Sequence, residues 1–196
     1  MKKILVALAG AVLFAPAVWA DSEFSIVAQG GAAKYTQSLS GSDVGAAYGA
    51  RFGILPTPML GVELGYLGTQ NNVARSFDTG SLSSTLRTNE GYADVRLNIL
   101  PGALTPYVFG GYGLTWVDGA AAVGIPNRNV NTLPFGGGLE YNIDAFKIGG
   151  RFQYNYLFDR IYTGNNGNGT PTSAAVDKGG SSDFYSVSLD LGASFR

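Results

Sequence analysis

Apolar and polar residues alternate with period two through most of the chain, while the 3.6-residue period of an amphipathic helix is nowhere sustained. Residues 24–34 set Phe24, Ile26 and Ala28 on one face. Residues 44–55 set Val44, Ala46, Tyr48, Ala50, Phe52 and Ile54 against Gly45, Ala47, Gly49, Arg51 and Gly53. Residues 60–67 set Leu60, Val62, Leu64 and Tyr66 against Gly61, Glu63 and Gly65. Residues 88–99 set Ala93, Val95, Leu97 and Ile99 against Glu90, Tyr92, Asp94, Arg96 and Asn98. In residues 106–117 the apolar face is Val108, Tyr112, Leu114 and Trp116. Residues 133–143 and 146–158 oppose their Leu, Ile, Phe and Tyr positions to Glu140, Asn142, Lys147, Arg151, Gln153 and Asn155. Residues 184–195 oppose Tyr185, Val187, Leu189, Leu191 and Phe195 to Ser186, Ser188, Asp190 and Ser194.

These are eight expected strands, and their connections alternate in length. Short links fall at 56–58, 101–104 and 144–145; long polar ones fall at 35–43, 68–87, 118–132 and 159–183. Tight turns at one end and long loops at the other are the anatomy of an antiparallel up-and-down meander whose two ends share the short-turn side. A strand of about 10 residues tilted by about 45° spans roughly 23 Å, the height of a membrane barrel's apolar band. The expected fold is all-β: an eight-stranded transmembrane barrel.

Composition narrows the chemistry. The 196 residues include 29 Gly but no Cys and no His. Disulfides, thiolate metal sites and His-dependent hydrolysis are therefore excluded. Neither a metal nor another cofactor is expected. A net charge of -1 gives no footprint for nucleic acid. The run Asn165-Asn166-Gly167-Asn168-Gly169 lacks the carboxylates a hard cation prefers and reads as loop.

Residues 1–20 read as a secretory signal peptide: Lys2 and Lys3, an apolar run from Ile4 to Ala15, then Val18-Trp19-Ala20 as the cleavage site. Twelve apolar residues are too few for a spanning helix. The expected mature domain is 21–196. No other segment is apolar for long enough to cross a membrane as a helix, so a membrane form must use strands.

The glycines decide which face points outward. Gly45, Gly49, Gly53, Gly61, Gly65, Gly136, Gly138 and Gly149 share a face with most in-strand charges. On a solvated exterior they would weaken the sheet, whereas in a narrow lumen they make room for long side chains. The bulky apolar face then meets lipid. Tyr66, Trp116, Phe158 and Tyr185 are expected as interfacial aromatics at one edge, Phe146 and Phe195 at the other. The lumen is expected to hold Arg51, Glu63, Glu90, Asp94, Arg96, Glu140, Lys147, Arg151 and Asp190, with Arg51 paired to Glu63 and Glu140 paired to Lys147 or Arg151. Mixed charges in a narrow bore imply a paired plug rather than a one-sign selective ring.

The signal segment, the eight alternating runs, Pro106-Tyr107-Val108-Phe109-Gly110-Gly111-Tyr112-Gly113 and the terminal Leu189-Asp190-Leu191-Gly192-Ala193-Ser194-Phe195 resemble the small outer-membrane β-barrels of Gram-negative bacteria, the OmpA/OmpX type. A terminal aromatic read by the barrel-assembly machinery is usual there; here Arg196 follows Phe195. The resemblance implies a monomeric, non-enzymatic barrel in the Gram-negative outer membrane, with both termini periplasmic. Its partners would be outer-membrane lipids, including lipopolysaccharide, and the assembly machinery. Four outer loops would carry a structural or surface-interaction role; a narrow passive pore for small apolar compounds is the alternative.

Overall fold

In a computed structural model the described residues are 22–36, 43–77, 80–118, 127–158 and 183–195. They form eight strands: β1 (Glu23–Tyr35), β2 (Gly45–Leu55), β3 (Leu60–Phe77), β4 (Gly80–Asn98), β5 (Leu104–Asp118), β6 (Arg128–Ile143), β7 (Phe146–Leu157) and β8 (Phe184–Phe195). Each pairs antiparallel with its chain neighbour, and β1 pairs with β8 from Phe24↔Phe195 to Tyr35↔Phe184, closing the barrel. Residues 1–21, expected to hold a signal peptide, and those at 37–42, 119–126 and 159–182 lie outside the described residues.

Alternation governs the facing of every strand. Ile26, Leu64, Val95, Tyr112, Leu139, Phe152 and Leu191 stand exposed on the outer wall, whereas Arg51, Glu63, Arg96, Glu140 and Arg151 are buried in the lumen. A soluble barrel would show the reverse. The glycines on the lumen side sit under interior side chains: a Cβ on Gly65 would meet the ring of Tyr92, one on Gly138 the ring of Tyr107, and one on Gly113 the carboxylate of Glu90. The β6–β7 connection is the two residues Asp144-Ala145, with Asp144 in the left-handed region at φ 51°. Asp tolerates that region better than most residues, which suits a two-residue hairpin.

Two expected loops are wholly or partly strand. Residues 68–87 do not form a loop. β3 and β4 stay paired from Leu60↔Leu97 out to Phe77↔Gly80. Their outer neighbours stop earlier: β2 leaves β3 at Ala46↔Gln70, and β5 leaves β4 at Arg87↔Asp118. Asp43 N still donates to Asn72 O at 3.0 Å, and past that point, among the described residues, β3 and β4 continue as a two-stranded ribbon. It needs no apolar face, so the alternation that marks the wall strands fades there while the backbone ladder continues. β6 likewise begins at Arg128 rather than at 133, taking in part of the expected 118–132 connection.

The interior has two zones. Charged side chains fill the half near the short turns. Toward the other end, Tyr35, Leu67, Leu86, Val117, Val130, Leu157 and Phe184 form an apolar cluster with almost no exposure. Between them lies a belt of hydroxyls: Thr69 to Thr88 at 2.6 Å, Thr115 to Thr132 at 2.5 Å, and Tyr35 Oη donating to Thr88 at 3.2 Å. The expected salt-bridge plug thus accounts for only half of what fills the bore.

Candidate functional site in the lumen

Glu63 on β3 is the hub. One carboxyl oxygen accepts Arg96 Nη1 at 3.1 Å; the other accepts Arg151 Nη1 at 2.7 Å and lies 3.5 Å from Arg51 Nε. Each arginine then reaches a second carboxylate. Arg96 donates both terminal nitrogens to Glu140 at 3.1 Å, a bidentate fork, and its Nε to Asn98 at 2.8 Å. Arg151 donates Nη2 to Asp94 at 2.7 Å. Arg51 donates to Asp190 at 3.0 Å and to Gln29 at 2.8 Å. Nearest the short turns, Lys147 Nζ bridges Glu140 at 3.0 Å and Glu23 at 2.6 Å.

Arg51–Glu63, Arg96–Glu63 and Lys147–Glu140 join neighbouring strands. Arg51–Asp190, Arg96–Glu140 and Lys147–Glu23 each skip one strand, and Arg151 of β7 crosses the bore to Asp94 of β4 and to Glu63 of β3 on the opposite wall. Eight strands make this possible, because they leave a lumen only about as wide as interdigitated side chains. Aromatic rings floor the guanidinium groups: Arg96 lies 3.8 Å from the Tyr107 ring centre and Arg151 lies 3.3 Å from that of Phe109. A cation over a desolvated ring face is favourable by about 2 kcal/mol.

The expected pairs Arg51–Glu63 and Glu140–Lys147 are both present, and of the two partners offered for Glu140 the structure takes Lys147, adds Arg96, and draws Arg151 across to Glu63 and Asp94. Other features were not expected. Glu90 lies apart from the network, fully buried and with no cation within ion-pair distance among the described residues. Glu23 belongs to the network, although its place at the very start of β1 gave no sign of this. Tyr107 and Phe109 were also not expected inside. Their inward parity was visible in the sequence, but the Gly-rich stretch that follows obscured it.

The expected interfacial aromatics Tyr66, Trp116, Phe146, Phe158 and Phe195 are exposed on the outer wall, Phe146 most of all at 70%, while Tyr185 is half-buried there. At the short-turn end a cavity of about 610 Å³ opens, walled by Pro56, Pro58 and Pro101 and reaching Glu23, Glu140 and Lys147. No cluster of metal-ligating side chains occurs among the described residues.

An eight-stranded barrel with an apolar exterior and a charged, filled bore is matched by the model of the outer membrane protein beta-barrel domain over residues 4–195. The chain belongs to this family. Solved structures share the fold at low identity. Neisserial surface protein A aligns at 17% identity with a TM-score of 0.60, covering 88% of this chain and 97% of its own. The N-terminal barrel domain of Pseudomonas aeruginosa OprF aligns at 15% and 0.55, covering 88% and 97%. Yersinia pestis Ail, the attachment invasion locus protein, solved with the heparin analogue sucrose octasulfate, aligns at 16% and 0.55, covering 89% and 99%. No curated protein sequence matches the chain.

The lumen network also brackets the place where the barrel closes. The Arg51–Asp190 and Lys147–Glu23 pairs tie β2 to β8 and β7 to β1, either side of the seam where the chain's first and last strands meet. At the far end Asp183 secures the same seam. Its carboxylate accepts Tyr154 Oη at 2.9 Å and Leu157 N at 3.0 Å, and its carbonyl accepts Thr36 N at 2.8 Å.

Proposed function

We propose that this chain is a closed, non-enzymatic barrel of the Gram-negative outer membrane that serves as a rigid base for a surface-interaction element. The signal segment would be cleaved after Ala20, both termini and the short turns would face the periplasm, and the barrel would stand as a monomer among outer-membrane lipids, including lipopolysaccharide. Its assembly would use the barrel-assembly machinery. The observation that carries this reading is the β3–β4 ribbon, whose strands, among the described residues, pair only with each other beyond Asn72 and Arg87. A ribbon that outruns its neighbouring strands, held on a wall of eight paired strands, is suited to contact something outside the membrane. The outer-wall aromatics at both edges support a membrane seat between them.

Orientation is tested by single cysteines, since the chain has none of its own. On intact cells a membrane-impermeant maleimide is expected to label Ser81→Cys, in the ribbon, and to spare Thr57→Cys, in a short turn. Labelling of Thr57→Cys alone would mean that the ribbon faces inward.

The narrow-pore alternative is disfavoured by the filled bore, with ion pairs in one half and an apolar cluster in the other. In planar bilayers the refolded barrel is expected to give no steady conductance. A steady, large current would revive the pore.

A further inference from the structure

Among the described residues the backbone ladder of the barrel wall is interrupted at a single seam, β5–β6. That ladder runs from Leu104↔Tyr141 to Gly110↔Phe135 and resumes at Gly113↔Thr132, skipping Gly111 and Tyr112 opposite Pro134 and Leu133. The register is the same on either side of the gap, so no residue has been inserted and neither strand is bulged. The ladders on the outer sides of the two strands run unbroken past this level. They include Asp94↔Gly111 and Ala93↔Tyr112 on one side, Pro134↔Asn155 and Leu133↔Tyr156 on the other. The defect belongs to one seam.

Pro134 accounts for it. The backbone groups of successive strand residues turn alternately to the two neighbouring strands. Asn142 N donates to Ala103 O at 2.7 Å, so the even-numbered residues of β6, Pro134 among them, face β5. Ile99 N donates to Pro106 O at 2.8 Å, so the odd-numbered residues of β5, Gly111 among them, face β6. Gly111 and Pro134 therefore stand where a closely spaced pair exchanges two bonds. Proline has no N–H, so the ladder can supply a partner for Gly111 N but no donor for the Gly111 carbonyl. Sheets confine proline to edges, strand ends and bulges, and this position in a closed barrel is none of these.

A second acceptor lies beside the first. Asp94 is 1% exposed; Arg151 takes its Oδ2 at 2.7 Å, while Oδ1 has no hydrogen-bond partner among the described residues. A Cβ on Gly111 would fall on that oxygen, so Oδ1 rests against the inner side of the seam. The inward positions there, Gly111, Gly113 and Gly136, carry no side chain to cover the gap. A carbonyl and a carboxylate oxygen only accept, so the group that joins them must donate twice. Water is the smallest molecule able to do so. We propose that the β5–β6 seam is a water-binding site in the barrel wall, its guest donating to the Gly111 carbonyl and to Asp94 Oδ1.

The site makes this seam the place where the wall parts most easily. β5 is held by β4 and β6 by β7 through unbroken ladders at the same level, so opening is confined to the bonds between β5 and β6. A backbone group without a ladder partner is costly in a wall that faces lipid, and bound water offsets that cost.

The test is amide hydrogen exchange on the full barrel refolded in micelles, read by NMR. Because facing alternates, the two seams of β6 are read separately within one strand: Thr132 N faces β5, whereas Leu133 N and Phe135 N face β7. The amides of Gly111, Gly113 and Thr132 are expected to exchange at least about tenfold faster than those of Tyr112, Leu133 and Phe135. The Gly111 amide proton is also expected to show cross-relaxation with water. Pro134→Ala restores an N–H opposite Gly111, so the difference between seams and the water contact should both disappear. Equal protection at the two seams of the native barrel, which needs no variant, would overturn the proposal. An alternation that persists unchanged in Pro134→Ala would do the same.

Discussion

Replacing Glu63 by alanine will destabilise the barrel more than any other single change to a lumen charge. Glu63 accepts from or lies against Arg51, Arg96 and Arg151, all buried, and each keeps only one other carboxylate when it is gone. Removing one member of a buried ionic cluster typically costs about 3–5 kcal/mol, because the remaining charges stay desolvated without compensation. The upper end is expected here, measured as the shift in the urea unfolding midpoint of the refolded barrel. Glu140→Ala should cost less, since Arg96 retains Glu63 and Lys147 retains Glu23. Coupling supplies the control. Glu63→Ala combined with Arg151→Met should cost clearly less than the two changes summed, because the second removes a cation that the first left stranded. Simple additivity would mean that the pair does not interact and that water, rather than Glu63, satisfies Arg151.

The second large effect concerns space rather than charge. Gly65→Val should prevent close packing of the bore, because even its Cβ falls on the ring of Tyr92. Overpacking of this kind usually costs about 1–3 kcal/mol. More is expected here, since the ring is buried and Arg151 and its partners crowd the same section of lumen. The heat-modifiable band on a gel should weaken in Gly65→Val and return when Tyr92→Ala is added. The outer-wall substitution Val62→Ala, two strand positions before an outward neighbour of Gly65, should leave the band unchanged. A full-strength band in Gly65→Val alone would show that the ring can move aside freely and that the bore is looser than its contacts imply.

What the sequence alone determined is the set of properties carried by near neighbours in the chain. Period-two alternation assigned the outward face of all eight strands, from Phe24 and Ile26 to Leu191 and Phe195, because consecutive side chains of a strand point to opposite sides whatever it pairs with. Turn chemistry located the short links, and the company kept by glycine and charge on one face identified that face as the lumen. The tertiary structure decided which charges meet. Nothing local to Arg151 indicates Glu63, 88 positions away; closure of the barrel sets β7 opposite β3 across a bore that one arginine can span. The same closure leaves Glu90 outside the ion pairs among the described residues and brings Glu23 to Lys147. It also gathers Tyr35, Leu67, Leu86 and Phe184, scattered over four strands, into one apolar cluster. The β3–β4 ribbon escaped the sequence for the opposite reason. Its backbone pairing continues beyond the wall, where no lipid selects an apolar face, so a real strand there leaves no alternation to read.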